Sequence, residues 1–96
     1  MASGAGNVFR GTFIGAADDI EIAKLPFKPA AMQFWCDNSG ALEIGYKTED
    51  MSGDAYLSTS SGADAGVTFN ADGTVTVANG ADINVAGVTT YYEAHE

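Results

Sequence analysis

No run of about ten residues in this chain carries a helical period. Apolar residues recur instead at every second position, in short stretches broken by glycine, asparagine, aspartate and serine. The longest such stretch runs from Val75 to Glu96 and closes on Gly80-Ala81-Asp82-Ile83-Asn84-Val85-Ala86-Gly87-Val88-Thr89-Thr90-Tyr91-Tyr92-Glu93-Ala94-His95. A period of two sends alternate side chains to opposite faces of a strand, so the pattern is satisfied by a sheet with one face buried. The end of the chain is therefore expected to be tied into a sheet rather than to form a free tail.

With 96 residues the chain is expected to form one domain whose core hides roughly 65% of the surface of the unfolded chain. Strand signals cover Val8 to Ile14, residues 19–25, 31–37 and 41–47, Ala55 to Ser58, and then 67–70, 74–77, 82–85 and 88–94. Pro26 and Pro29 bracket Phe27-Lys28, remove two backbone donors and force an extended turn there. Residues 59–66 read as a polar loop. Seven to nine short strands with hairpin spacing predict an all-β chain, a small antiparallel β-sandwich, with a partly closed barrel as the alternative. Residues 1–7 carry no core residue after Met1 and are expected to form a flexible arm reaching up to about 24 Å, followed by a sandwich domain over 8–96.

Two hairpins can be registered. Ala71-Asp72-Gly73 sets Val67 against Val77 and Phe69 against Val75, with Thr68 and Thr76 on the other face. For the earlier hairpin a three-residue loop, Asn38-Ser39-Gly40, pairs Asp37 with Ala41, Cys36 with Leu42, Phe34 with Ile44 and Met32 with Tyr46. That register makes one face continuously apolar and leaves Gln33, Trp35, Glu43 and Lys47 on the other. The alternative that sets Trp35 against Leu42 mixes the two faces.

Thirteen acidic residues stand against four basic ones, a formal charge of −9. Such a body is repelled by phosphate backbones and anionic membranes, so no direct nucleic-acid or membrane partner is expected. Docking on a basic protein surface suits it better. The single cysteine, Cys36, cannot form an internal disulfide, and no apolar run is long enough to span a bilayer. Synthesis in a reducing cytoplasm, without a secretion signal, is the expectation.

Chemistry finds few footholds in the sequence. The one histidine, His95, lies at the end of the chain, and no serine or cysteine nucleophile has a visible base beside it. Asp18-Asp19 and Glu49-Asp50 are adjacent pairs, which diverge on an extended chain and read as solvated loop charge. None of these, nor Asp54, Asp64 and Asp72, has the spacing of a calcium loop. The glycines carry no phosphate-cradle pattern. No catalytic residue, metal ligand or cofactor is assigned, and the chain is not expected to be an enzyme.

Trp35 is the most informative single residue, because a large ring left on a polar sheet face is a favoured anchor at a protein interface. Gln33 and Glu43 share that expected face. Tyr91 and Tyr92 alternate, so one enters the core and the other joins the candidate interface. Ser3 and Asn7 are the candidates on the arm.

The order Gly11-Thr12-Phe13, Ile20-Glu21-Ile22, Leu25-Pro26-Phe27-Lys28-Pro29, Met32-Gln33-Phe34-Trp35 and then Gly80 to His95 resembles small structural proteins of tailed-bacteriophage virions, found as head decoration proteins or as tail and fibre modules. At 74–80 the chain departs from their pattern, and no functional residue is carried over there. The resemblance implies a non-enzymatic capsid decoration or cement protein on the virion surface, made in the host cytoplasm, partnered by the major capsid protein. It also implies a homo-oligomer, by analogy a trimer. A receptor- or glycan-binding module of a tail fibre or baseplate is the alternative.

Overall fold

Alternation in the sequence becomes two antiparallel sheets in the computed structural model, which describes residues 6–96. Nine strands are formed among the described residues: β1 (Val8–Ile14), β2 (Ile20–Ile22), β3 (Ala31–Asn38), β4 (Ala41–Thr48), β5 (Ala55–Ser58), β6 (Gly62–Ala65), β7 (Val67–Phe69), β8 (Val75–Val77) and β9 (Thr89–His95). The large sheet has the order β1-β9-β3-β4-β5-β6 and the small one β2-β8-β7. Neither closes on itself, so the fold is a small β-sandwich and not a barrel. The last strand is the linchpin of the topology. β9 inserts between β1 and β3, antiparallel to both.

The core fills the space between the sheets. Val67, Val75 and Val77 of the small sheet meet Met32, Phe34, Tyr56 and Ala94 of the large one, and none of these is more than 1% exposed. Burying each large apolar side chain contributes about 1.5–3 kcal/mol. Tyr92 lies among three phenylalanines, its ring centroid 6.4 Å from Phe34 and 6.5 Å from both Phe9 and Phe13. Residues 82–85, expected as a strand, are instead part of a chain of turns that plugs one end of the sandwich, closed by Ala81 N to Ala78 O (3.1 Å) and Asn84 N to Ala81 O (2.8 Å). Asn84 holds this plug: its amide donates to Asp18 O (2.9 Å) and Ala78 O (3.1 Å) and its Oδ1 accepts from Ala16 N (2.9 Å). Its side chain meets backbone needs that a ladder would otherwise have met.

The hairpin of β7 and β8 has the expected register, Val67 opposite Val77 and Phe69 opposite Val75. That of β3 and β4 does not. Its loop is the two residues Ser39-Gly40, with φ of 57° and 87°, the left-handed pair that a type I′ turn requires. Asn38 therefore pairs with Ala41, Cys36 with Glu43, Trp35 with Ile44, Phe34 with Gly45 and Met32 with Lys47. This one-residue shift turns β4 over. Glu43 and Lys47, expected on the outer face, are each 1% exposed and face inward, while Leu42, Ile44 and Tyr46 face outward. β6 is a further correction, since it forms within the expected loop by pairing with β5.

At the start of the described chain, Asn7 O accepts from Glu96 N (2.9 Å) and Asn7 Nδ2 donates to Glu96 Oε1 (2.6 Å), which extends the β1–β9 pairing by one residue. The rest of the expected arm, residues 1–5 with Ser3, lies outside the described residues.

Candidate functional site

Strand alternation carries Tyr91, Trp35, Ile44, Tyr46, Leu57 and Leu42, among others, to the face of the large sheet that the small sheet does not cover. The pairings align them in two rows. One runs Thr12, Tyr91, Trp35, Ile44 across β1, β9, β3 and β4. The next runs Arg10, Glu93, Gln33, Tyr46, Leu57, Ala63 from β1 to β6. Leu42, opposite Asp37, continues the apolar surface past Ile44. Leu42 is 66% exposed, Tyr91 58% and Leu57 45%. Trp35 is half-buried among its neighbours, and a hollow of about 300 Å³ opens between Trp35, Tyr91, Leu42 and Ala41, with Asp37 at its side. Aromatic and aliphatic side chains grouped on a solvent-facing sheet leave apolar surface in contact with water that contact with another surface would cover.

Charge on this face gathers on the β1–β9 side, with Asp37 at the end of β3. Arg10 Nε donates to Glu93 Oε2 at 2.7 Å, and His95 Nε2 lies 2.8 Å from Glu93 Oε1. The Arg10 guanidinium, followed by His95, holds the Glu93 carboxyl below its ordinary range.

Of the expected interface residues, the fold brings together Trp35, Gln33 and Tyr91. It removes two. Glu43 is inward, where its carboxylate accepts from Thr59 Oγ1 (2.8 Å), Ser60 N (3.2 Å) and the Ser60 hydroxyl, and so anchors the turn between β5 and β6. Tyr92 is the member of the tyrosine pair that enters the core, 8% exposed. Sequence reading missed Leu42, Ile44, Tyr46 and Leu57, and the signal that would have found the β4 residues is Ser39-Gly40 read as a two-residue type I′ turn.

The inner polar groups serve the fold. Lys47 Nζ donates to the carbonyls of Met51 (3.0 Å), Gly53 (3.2 Å) and Ala55 (2.6 Å); burial lowers its pKa, opposed by Asp54. Asp82 Oδ2 accepts from the hydroxyls of Ser58 (2.7 Å) and Ser61 (2.6 Å), the bonds that hold its carboxyl below the ordinary range, Ser61 foremost. The Tyr56 hydroxyl accepts from Asp82 N (2.9 Å) and donates to Asp64 (3.2 Å), and burial pushes its pKa up.

Cys36 and His95 do not meet, since Cys36 faces the core and His95 lies on the outer face of β9. Burial raises the Cys36 thiol pKa. Two of the loop carboxylates serve the backbone: Asp72 Oδ1 closes its own turn by accepting from Thr74 N (3.0 Å) and Thr74 Oγ1 (2.6 Å), and Asp19 Oδ1 ties its loop to a distant one by accepting from Asn79 N (2.8 Å). Among the described residues no three histidine, cysteine or acidic side chains are grouped to hold a metal ion. Comparison of the chain with protein-family models, with curated proteins and with solved structures finds no match.

Proposed function

We propose that the chain is a non-enzymatic virion structural protein, a decoration protein that docks on the assembled head of a tailed phage through the outer face of its large sheet. The observation that supports this reading is the contiguous Tyr91-Trp35-Ile44 and Tyr46-Leu57 surface on a body of net charge −9. Aromatic anchors flanked by charged and polar side chains are the anatomy of a protein interface, and an acidic body selects a partner surface ringed by lysine and arginine. The major capsid protein is the partner proposed. Each copy would bind assembled shell but not free subunit, so that mass action stabilises the shell, and many copies add.

The hollow beside Trp35, with an aromatic ring on either side and Asp37 at its margin, favours one second reading, a tail-fibre or baseplate module that stacks sugar rings of a host receptor. Copy number and position separate the two. Quantitative mass spectrometry and cryo-EM of purified particles should find the chain in hundreds of copies on the head, and the double variant Leu42→Asp, Tyr91→Asp should be absent from otherwise complete particles. A few copies at the tail tip would overturn the decoration reading in favour of the second. Particles that incorporate the double variant fully would exclude this face from docking.

A further inference from the structure

The edges of the two sheets are protected unequally. β2 and β7, the edges of the small sheet, are three residues long, and β6 is four residues with Asp64 turned inward to the Tyr56 hydroxyl. Short edges and inward charges are the usual defences against strand addition. β1 has neither: it is seven residues of Val-Phe-Arg-Gly-Thr-Phe-Ile, without proline or inward charge, and Val8 and Ile14 are 48% and 65% exposed. Among the described residues no strand pairs with its second side.

We propose that β1 pairs antiparallel with β1 of a second copy, about a two-fold axis at Gly11, to join two large sheets into one. The residue order is itself symmetric about that glycine. A two-fold there sets Val8 against Ile14, Phe9 against Phe13, Arg10 against Thr12 and Gly11 against its own copy, each apolar, aromatic or polar residue meeting its own kind.

Backbone geometry selects the same register. Asn7 O accepts from Glu96 N and Gly15 N donates to Val88 O, so the alternate residues Phe9, Gly11 and Phe13 also turn their backbone groups towards β9. The N–H and C=O groups of Val8, Arg10, Thr12 and Ile14 therefore point out from the edge. Antiparallel pairing must match outward groups with outward groups, which the axis at Gly11 does. Moving the axis by one residue to Arg10 keeps that match but places Arg10 against Arg10, and moving it to Thr12 sets Phe13 against Gly11 and Arg10 against Ile14.

The ground beside the edge fits a second copy. The Tyr92 hydroxyl lies over Gly11, where any Cβ would collide with it, so the aromatic layer reaches the proposed axis. A hollow of about 330 Å³ lies between Phe9, Phe13 and Tyr92 of the large sheet and residues 21–24 of the other layer. The Phe9 and Phe13 rings of the second copy would extend that layer on the same side.

The inference does not rest on the docking reading, because it is read in solution with no shell present. The full chain is run in sedimentation velocity over a wide concentration range, at physiological ionic strength, where the charge of −9 on each copy is screened beyond about 8 Å while side chains directly opposite one another still interact. A reversible dimer is expected. Thr12→Lys, which sets a lysine against Arg10 of the other copy twice per dimer, should weaken it on the order of tenfold, and Thr12→Glu should tighten it by a similar factor. Thr12 is exposed, and circular dichroism checks that both variants keep the fold. A chain that stays monomeric up to its solubility limit overturns the proposal. So does a dimer that both variants leave unchanged, or that both shift in the same direction.

Discussion

The Lys47 ammonium lies 5.4 Å from the centroid of the Phe69 ring, so a charge on the large sheet is seated against an aromatic face on the small one. The same ammonium gathers the carbonyls of Met51 and Gly53 in the turn that follows β4 and that of Ala55 at the start of β5. Lys47→Met keeps the stem's packing and removes the charge, leaving Met51, Gly53 and Ala55 carbonyls short of a donor. A loss of about 2–3 kcal/mol is expected, read as a lower urea midpoint with an unchanged slope. Lys47→Met unfolding at the wild-type midpoint would show that the ammonium contributes nothing to holding the turn.

Acid should loosen the end of the sandwich where Asp82 sits. Its carboxyl is held below the ordinary value of 3.8 by the Ser61 and Ser58 hydroxyls, so the unfolded chain binds a proton more readily than the folded one. The stability this contributes is complete above the ordinary value and is lost as pH falls through the lower, folded value. Asp82→Asn should therefore lose less stability than the wild type between neutral pH and about pH 3, measured by denaturant unfolding at each pH. Equal losses in the two proteins would remove Asp82 from the acid response.

Gly15 is fixed by its neighbour. A Cβ there would collide with the backbone of Val85, at the place where Gly15 N donates to Val88 O (2.9 Å) and Gly87 N to Gly15 O (2.9 Å). Gly15→Ala must push the end of β1 away from the turn plug at a cost of about 1–3 kcal/mol. Gly40→Ala provides the contrast, since nothing lies within 4 Å of its added Cβ and only the strain of φ 87° is felt. Thermal unfolding should show Gly15→Ala the less stable of the two.

Strand positions were legible wherever alternation met a turn residue, as at Val8–Ile14 and the Val67–Val77 hairpin, whereas of the strand expected over 19–25 only Ile20–Ile22 forms, because β8 offers it just three residues, Val75–Val77, to pair with. Trp35 could be placed on the uncovered face for the same reason; that one tyrosine enters the core follows from the adjacency of Tyr91 and Tyr92, and only the packing makes it Tyr92. Gly62-Ala63-Asp64-Ala65 carries no apolar alternation, so β6 was hidden; it exists because β5 offers it a ladder and Tyr56 receives its one charge. Ile83 and Val85 alternate like strand residues, yet Asn84 between them meets the backbone from three directions and holds turns instead. Glu43 and Lys47 misled the register, because charge was assigned to solvent although both find buried partners.

That register has a sharp mutational signature in neighbouring residues. With Asn38 opposite Ala41, Leu42 stands in solvent and Glu43 in the interior, so Leu42→Ala should change stability by no more than about 0.5 kcal/mol. Glu43→Ala leaves Ser60 N and the Thr59 and Ser60 hydroxyls without their acceptor, at a cost of about 1–3 kcal/mol. In the shifted register, with Leu42 opposite Cys36, the order inverts: Leu42→Ala would open a core cavity worth about 2–5 kcal/mol and Glu43→Ala would be a neutral surface change. Urea unfolding of the two variants side by side reads the sign of the difference. A larger loss for Leu42→Ala would overturn the hairpin described here and, with it, the outward placement of Ile44 and Tyr46 that the docking face requires.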